Sequence, residues 1–321
     1  MSRWVSVALT IVGTVIGAGF ASGQEIYQFF TRYGAGAGLG IALAMSLMVL
    51  AAGTALERGR CGETYLEYLR GVFGRWADLW DAFVAAFLTV SLGAVGAAAG
   101  SIGHTAVGGP APLGAVLFLG AVGWWANAGA GAVLQAQRWV VPSLLTAVAV
   151  LTWASLRLPL TLPPPAPLLP WWVMALTYAS YNLLTVFPLL FTLGATMTAP
   201  WQPWLAAFTA GGLLYLAAWG EHLVLLRLDQ PADLPLWAVA HALNPAWGHL
   251  WMGVLLAALL TTALGVGLAL RERWGPRHWV FWGLAAVLAL WPLPTLVGGL
   301  YPLLGAASAG LWLPLWCRAR R

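Results

Sequence analysis

The chain contains no lysine and only two cysteines, Cys61 and Cys317, in 321 residues. Charged residues of all kinds make up 8% of it. A soluble domain usually carries about a quarter, so a soluble globular protein is excluded. A nucleic-acid-binding surface is excluded too, because the net charge of +5 is all arginine spread over short loops. Two distant cysteines make no disulfide framework, and both fall in segments expected to face the cytoplasm, so free thiols are expected. The histidines His104, His222, His241, His249 and His278 show no metal-ligand spacing, so no transition-metal site is expected. No P-loop, GxSxG or HExxH motif occurs, which argues against an ATP-driven pump, a membrane hydrolase or another enzyme. No cofactor is expected, with a sodium ion as the one option considered below.

What fills the chain instead is apolar. Hydrophobic residues make up 61% and the mean hydropathy is +0.81, the composition of a polytopic membrane protein whose first partner is the lipid bilayer. Many of the 21 tryptophans stand at the edges of apolar runs, as in an aromatic belt. About ten runs are long enough to span. They are Trp4–Phe30, Gly36–Ala55, Trp76–Gly103, Pro110–Trp125, Trp139–Leu158, Trp171–Leu193, Trp204–Leu226, Trp247–Leu270, Trp279–Trp291 and Pro294–Trp316. With the N-terminus in the cytoplasm, only Arg32, Arg157 and Arg227 lie outside, which supports an even number of spans with both ends inside.

Two connections, Thr64–Gly74 and Pro235–Leu243, read as short amphipathic helices at the interface. A proline-rich stretch, Leu160–Leu168, cuts the chain into comparable halves. Trp76-Ala-Asp-Leu79-Trp80 after the first short helix is echoed by Trp247-Gly-His-Leu250-Trp251 after the second. Ala21-Ser22-Gly23-Gln24 is echoed by Ala179-Ser180-Tyr181-Asn182. Five spans per half give the halves opposite orientations, the inverted repeat of a transporter. The expected division is 1–158 for the first repeat, 159–169 for an extracellular linker and 170–321 for the second repeat.

The stretch GTVIGAGFASGQEIYQFF, Gly13 to Phe30, organises the rest. Glycine costs about 1 kcal/mol against alanine inside a helix, and a carboxylate near the bilayer centre about 2.5–3.5 kcal/mol. Gly13, Gly17, Gly19 and Gly23 beside Ser22, Gln24 and Glu25 therefore point to a helix broken near Gly17-Ala18-Gly19. Such a break is tolerated only where it is buried in protein or lines a cavity. Two GxxxG pairs also suit plain helix packing. In the sixth span Thr177-Tyr178-Ala179-Ser180-Tyr181-Asn182 gathers five polar side chains, and Asn182 argues for a second break or a hydrated cavity. The adjacent Thr261 and Thr262 of the eighth span suit either back-bonding to helix carbonyls or two ligands to sodium. Glu25 could face a solute amine, relay a proton or stand in a hydrated outer vestibule; the vestibule or a coupling role is preferred. Asp78 and Asp81 read as an interfacial charge cluster or cytoplasmic gate, and Glu221 with His222 as solvated outer residues.

With TYASYN in the sixth span, the first-span motif resembles the YkvI-like bacterial membrane proteins of the amino acid–polyamine–organocation superfamily. The resemblance implies an all-α protein of the LeuT type, with about ten transmembrane helices in a five-plus-five inverted repeat whose first and sixth helices are broken. It implies secondary transport of a small, amino-acid-like solute across the bacterial cytoplasmic membrane. Gly17, Ala18, Gly19, Phe20 and Ser22 would then face Tyr178, Ala179, Ser180, Tyr181 and Asn182 around the solute. Thr261, Thr262 and the carbonyls of Gly13 and Ile16 would hold sodium. Gln24, Glu25, Asp78 and Asp81 are the coupling or gating candidates. Proton coupling, a non-transporting receptor of the spore-germination kind and a passive channel are the other readings.

Overall fold

The computed structural model describes residues 2–161, 169–228, 234–291, 307–308 and 310–317. Among them the protein is helical throughout, without strands. Helix α1 runs Arg3–Val15 and stops just before Gly17, the second glycine of the motif. Ile16 turns out of helical geometry (ψ 83°), and Gly17 is extended (φ −94°, ψ −166°). A five-residue α2, Ala18–Ser22, follows. Gly23, in the left-handed region at φ 84°, then joins it to α3, Gln24–Phe29. The first span is thus broken where its sequence predicts.

The remaining helices are α4 (Ala37–Arg60), α5 (Tyr65–Phe73), α6 (Ala77–Val107), α7 (Ala111–Ala126), α8 (Ala130–Ser155) and α9 (Trp171–Ala195). Then come α10 (Gln202–Leu225), α11 (Pro235–Leu243), α12 (Pro245–Trp274), α13 (His278–Leu288) and α14 (Pro314–Cys317). The two short helices expected in the connections are α5 and α11. The start of α5 is set by a reciprocal cap: Thr64 accepts from the Glu67 backbone N–H while the Glu67 carboxylate accepts from Thr64 N. Those bonds from Thr64 hold the Glu67 carboxyl below its usual range. The linker 162–168 and most of the tenth expected span lie outside the described residues.

Among the described residues five segments are long and apolar enough to cross a membrane: Thr31–Arg60, Tyr65–His104, Ala130–Ser155, Trp171–Ala195 and Pro245–Leu288. Arg3–Val15 and Ala111–Ala126 are apolar but shorter. The fifth span was expected from Trp139, and α8 begins earlier, at Ala130. Cys61 is an exposed free thiol.

One expectation is corrected. The sixth span is not broken; α9 is a continuous helix of 25 residues. Four of its polar side chains are satisfied within it. Thr177, Ser180 and Thr185 donate to the carbonyls of Val173, Leu176 and Tyr181, and Asn182 Nδ2 donates to the Tyr178 carbonyl. Without a glycine before Gly194, nothing lowers the cost of unwinding, and Pro188 is accommodated inside the helix.

The helices sort into two groups. α1 and α4 each pack on both α9 and α10, with α4 against α9 the most extensive contact. α6, α7, α12 and α13 form the second group, while α8 touches both through α1, α10 and α12. The α4–α9 contact is set by small residues. A Cβ on Gly59 would overlap the Phe191 backbone, and one on Gly194 would overlap the Leu56 backbone. Small residues permit such close approach in membranes. Gly194→Ala is expected to lower stability by ~1–3 kcal/mol, the usual cost of overpacking. Gly212→Ala, with open space beside it, should not. Melting temperatures of the two variants in detergent check this.

Candidate functional site

The break in the first span frees carbonyls that α12 meets. Thr262 Oγ1 donates to Ile16 O at 2.9 Å and reaches Gly13 O at 3.4 Å. Thr261 Oγ1 donates to Ala258 O at 2.9 Å. All of this is buried. The helices approach closely because Gly17 faces Thr262, where a Cβ would stand 3.4 Å from Oγ1, and because a Cβ on Gly265 would overlap Thr14. From α8, Gln137 Nε2 donates to Thr261 O at 2.8 Å. Its Oε1 lies against Gly13, buried and without a hydrogen-bond partner. The pair of threonines, two turned carbonyls of α1 and this amide gather neutral oxygens at one point. Such a set can hold a monovalent cation without a carboxylate.

Beside it is a cavity of about 30 Å³, near the liquid-volume share of one water. Gly17, Gly19, Glu25, Tyr181, Asn182 and Thr262 are among its lining residues. The Ser91 hydroxyl of α6 also reaches it and has no hydrogen-bond partner. Tyr178 belongs to an aromatic cluster, with ring centroids 4.8 Å from Phe30, 5.5 Å from Phe29 and 5.4 Å from Tyr181. The indole of Trp251 donates to Ala21 O at 3.0 Å and so ties α12 to the end of α2.

Other residues singled out in the sequence point elsewhere. Phe20 and Ala179 are fully buried in the core, and Ala18 opens α2. Ser22 Oγ donates to Gly19 O, closing its own turn. Ser180 Oγ donates to Leu176 O and accepts from the buried Trp312 indole. Gln24 accepts from Gln28 Nε2 on the outer face of α3. Asp78 is exposed, whereas Asp81 makes a two-pronged ion pair with Arg273, at 2.5 and 3.1 Å. That pair joins α6 to α12, roughly 15 Å along α6 from Ser91. It ties two helices of the same group and not the two groups to each other.

Two placements differ from expectation. Glu25 is not in a solvated vestibule, since it is 7% exposed and lines the cavity. Glu221 and His222 are not solvated either, at 0% and 7% exposure. The cause is α11, which packs on α2 and α10 and covers this end. His222 Nδ1 shares a 2.9 Å hydrogen bond with Thr31 Oγ1.

Gln137, Ser91, Phe29 and Phe30 were missed in the sequence. Gln137 carried a signal, an amide paired with Gln135 beside an apolar run, but it preceded the expected start of the fifth span. Ser91 is one small hydroxyl among many and carried none. Trp251→Phe should lower stability by ~1–3 kcal/mol, the cost of a buried carbonyl left unpaired. A thermal melt measures it, and an unchanged midpoint would mean that Ala21 O finds another donor.

No protein-family model matches the chain, and no curated protein matches it in sequence. Solved structures do match. The crystal structure of MhsT in complex with L-phenylalanine has a TM-score of 0.67 at 17% identity, covering 98% of this chain and 87% of that one. Mhp1, a nucleobase-cation-symport-1 family transporter in a closed conformation with bromovinylhydantoin bound, has a TM-score of 0.60 at 15% identity, covering 99% and 72%. The chain therefore has the LeuT-type fold of these membrane transporters.

Proposed function

We propose that this protein is a secondary active transporter that moves a small, amino-acid-like solute by alternating access, coupled to sodium held between α1 and α12. The observation that carries the reading is the break at Ile16–Gly17, with Thr262 bonded to Ile16 O and within reach of Gly13 O. A plain membrane anchor has no use for that arrangement. The division of helices into two groups supplies the moving parts, α1 to α4 with α9 and α10 against α6, α7, α12 and α13. The solved neighbours add that this fold accommodates L-phenylalanine in MhsT and bromovinylhydantoin in Mhp1.

In this reading the hydroxyls of Thr261 and Thr262 and the carbonyls of Gly13, Ile16 and Ala258 take the ion. An ion biases the conformations only through its different affinity for each. Binding here favours the states in which α1 and α12 stay together. The solute enters beside Gly17, Gly19, Tyr181 and Asn182, under the ring of Tyr178. A cavity of about 30 Å³ has no room for an amino acid, so admission requires α2 and α3 to swing away from α9. Rocking of one group against the other around this fixed point opens each side in turn. We place the protein in the bacterial cytoplasmic membrane with its N-terminus inside, as an inverted repeat akin to the YkvI-like proteins. Proton coupling and a non-transporting receptor are the competing functions, and flux separates them.

The test is uptake into proteoliposomes of a panel of labelled amino acids and amines, in sodium and in potassium. The expected result is sodium-dependent accumulation of one class. Contacts to a charged group are worth ~1.5–3 kcal/mol, so Thr262→Ala should raise the sodium needed for half-maximal uptake at least about tenfold. Binding without flux would make the protein a receptor. Equal uptake in both salts would remove the sodium site.

A further inference from the structure

The cavity beside Gly17 carries one acidic side chain, Glu25, and no arginine or histidine is among the described residues that line it. The chain has no lysine to offer either. Glu25 reaches the cavity because of the glycines at the break. A Cβ on Gly19 would stand 2.2 Å from Glu25 Oε1 and 2.5 Å from its Cγ. The side chain therefore folds back from α3 and lies directly over Gly19, where only a residue without a side chain admits it. Glu25 is buried, yet its Oε2 has no hydrogen-bond partner. From α6, the buried Ser91 hydroxyl lines the same cavity and is also unpartnered. Two unsatisfied oxygens, held on two different helices, thus border one water-sized space.

The other polar groups at this cavity are largely engaged. Thr14, Thr185 and Thr262 donate to the carbonyls of Thr10, Tyr181 and Ile16, and Asn182 Nδ2 donates to Tyr178 O. The four ion pairs among the described residues use Glu57, Glu63, Asp81 and Glu272, and none includes Glu25. The site is therefore poor in donors and cations and rich in acceptors. A carboxylate buried without a cation is costly, and so is a second carboxylate brought beside it. A primary ammonium fits the opposite way. It is a compact cation with three N–H donors and no acceptor, which Glu25 Oε2 and Ser91 Oγ can receive. The cavity of about 30 Å³ matches such a head group, being near the share of one water in the liquid. Val15, Ala94 and Val95 line the rest of it and suit an apolar tail.

We propose that the solute is an organic amine without a carboxylate, a primary ammonium on an apolar tail, and that Glu25 binds the ammonium with Ser91 as second acceptor. The sodium reading leaves Glu25 free for this, because Thr262 and the carbonyls of α1 take that ion without a carboxylate. Glu25 stands on α3, so pairing with the ammonium draws α3 down over the solute after entry. The proposal rests on the reading of this cavity as the solute site and narrows the solute class within it.

The test is equilibrium binding to the full-length protein in detergent, in sodium buffer, with matched probes. Phenethylamine is set against phenylalanine and hydrocinnamate, and isopentylamine against leucine and isocaproate. The expected result is that each amine binds at least about tenfold more tightly than its parent amino acid, whose carboxylate has no cation to meet. The acids without an amine should not bind. Glu25→Gln should weaken amine binding at least about tenfold, since a charge-assisted contact becomes a neutral one. An amino acid that binds as tightly as its amine overturns the proposal. So do an amine affinity unchanged in Glu25→Gln and the absence of amine binding. The wild-type comparison needs no variant to fold. Sodium-driven uptake of an amino acid whose amine does not bind would keep the transporter reading and remove this one. Amine binding without flux would do the reverse, so the two proposals fail separately.

Discussion

A backbone group without a partner is costly in a bilayer, where no water is at hand to replace it. The whole site follows from one instance of that rule. Gly17 lets the first span leave helical geometry, and the carbonyls thus freed must be met from another helix. Thr262 meets them, Gln137 braces Thr261 from behind, and Trp251 caps the far end of α2. The same contacts that pay for the break place neutral oxygens, a cavity and a carboxyl group within one small volume.

α12 is the hub of this arrangement. It packs on α1, α2, α6, α7, α8, α9, α11 and α13. Such density is possible because Gly265 and Gly267 remove side chains where Thr14 and Trp282 pass. On the other side of the molecule, Gly59 and Gly194 let α4 and α9 touch backbone to backbone. Apolar side chains gain little by leaving lipid for protein, so van der Waals fit and a few hydrogen bonds decide which helices stay together. Contacts within the two groups are extensive. Those between them run mainly through α1 and α12, where the polar contacts also lie.

The C-terminal segment adds a further constraint. Tyr68 OH donates to Leu311 O, Arg58 Nη2 donates to Leu315 O, and Trp312 is buried against Ser180. α4, α5 and α9 are thereby held to the end of the chain. A hydroxyl in the TYASYN motif that reads as solute-facing in the sequence serves this packing instead.

The sequence by itself determined the helical class, most helix positions, both short helices in the connections and the break in the first span. Each of these depends on local composition: apolar length, helical periodicity, or glycine where a helix should not have it. The Thr262 contact with Gly13 and Ile16 was legible only through a resemblance. Gln137, the continuity of α9 and the burial of Glu221 were not legible. A string of residues does not say whether Asn182 will turn to its own helix or to a cavity, because both satisfy the amide equally well. Nor does it say that α11 folds over the ends of α2 and α10. Tertiary structure alone decided that Glu25 and Glu221 are buried, since burial belongs to the packing of distant helices.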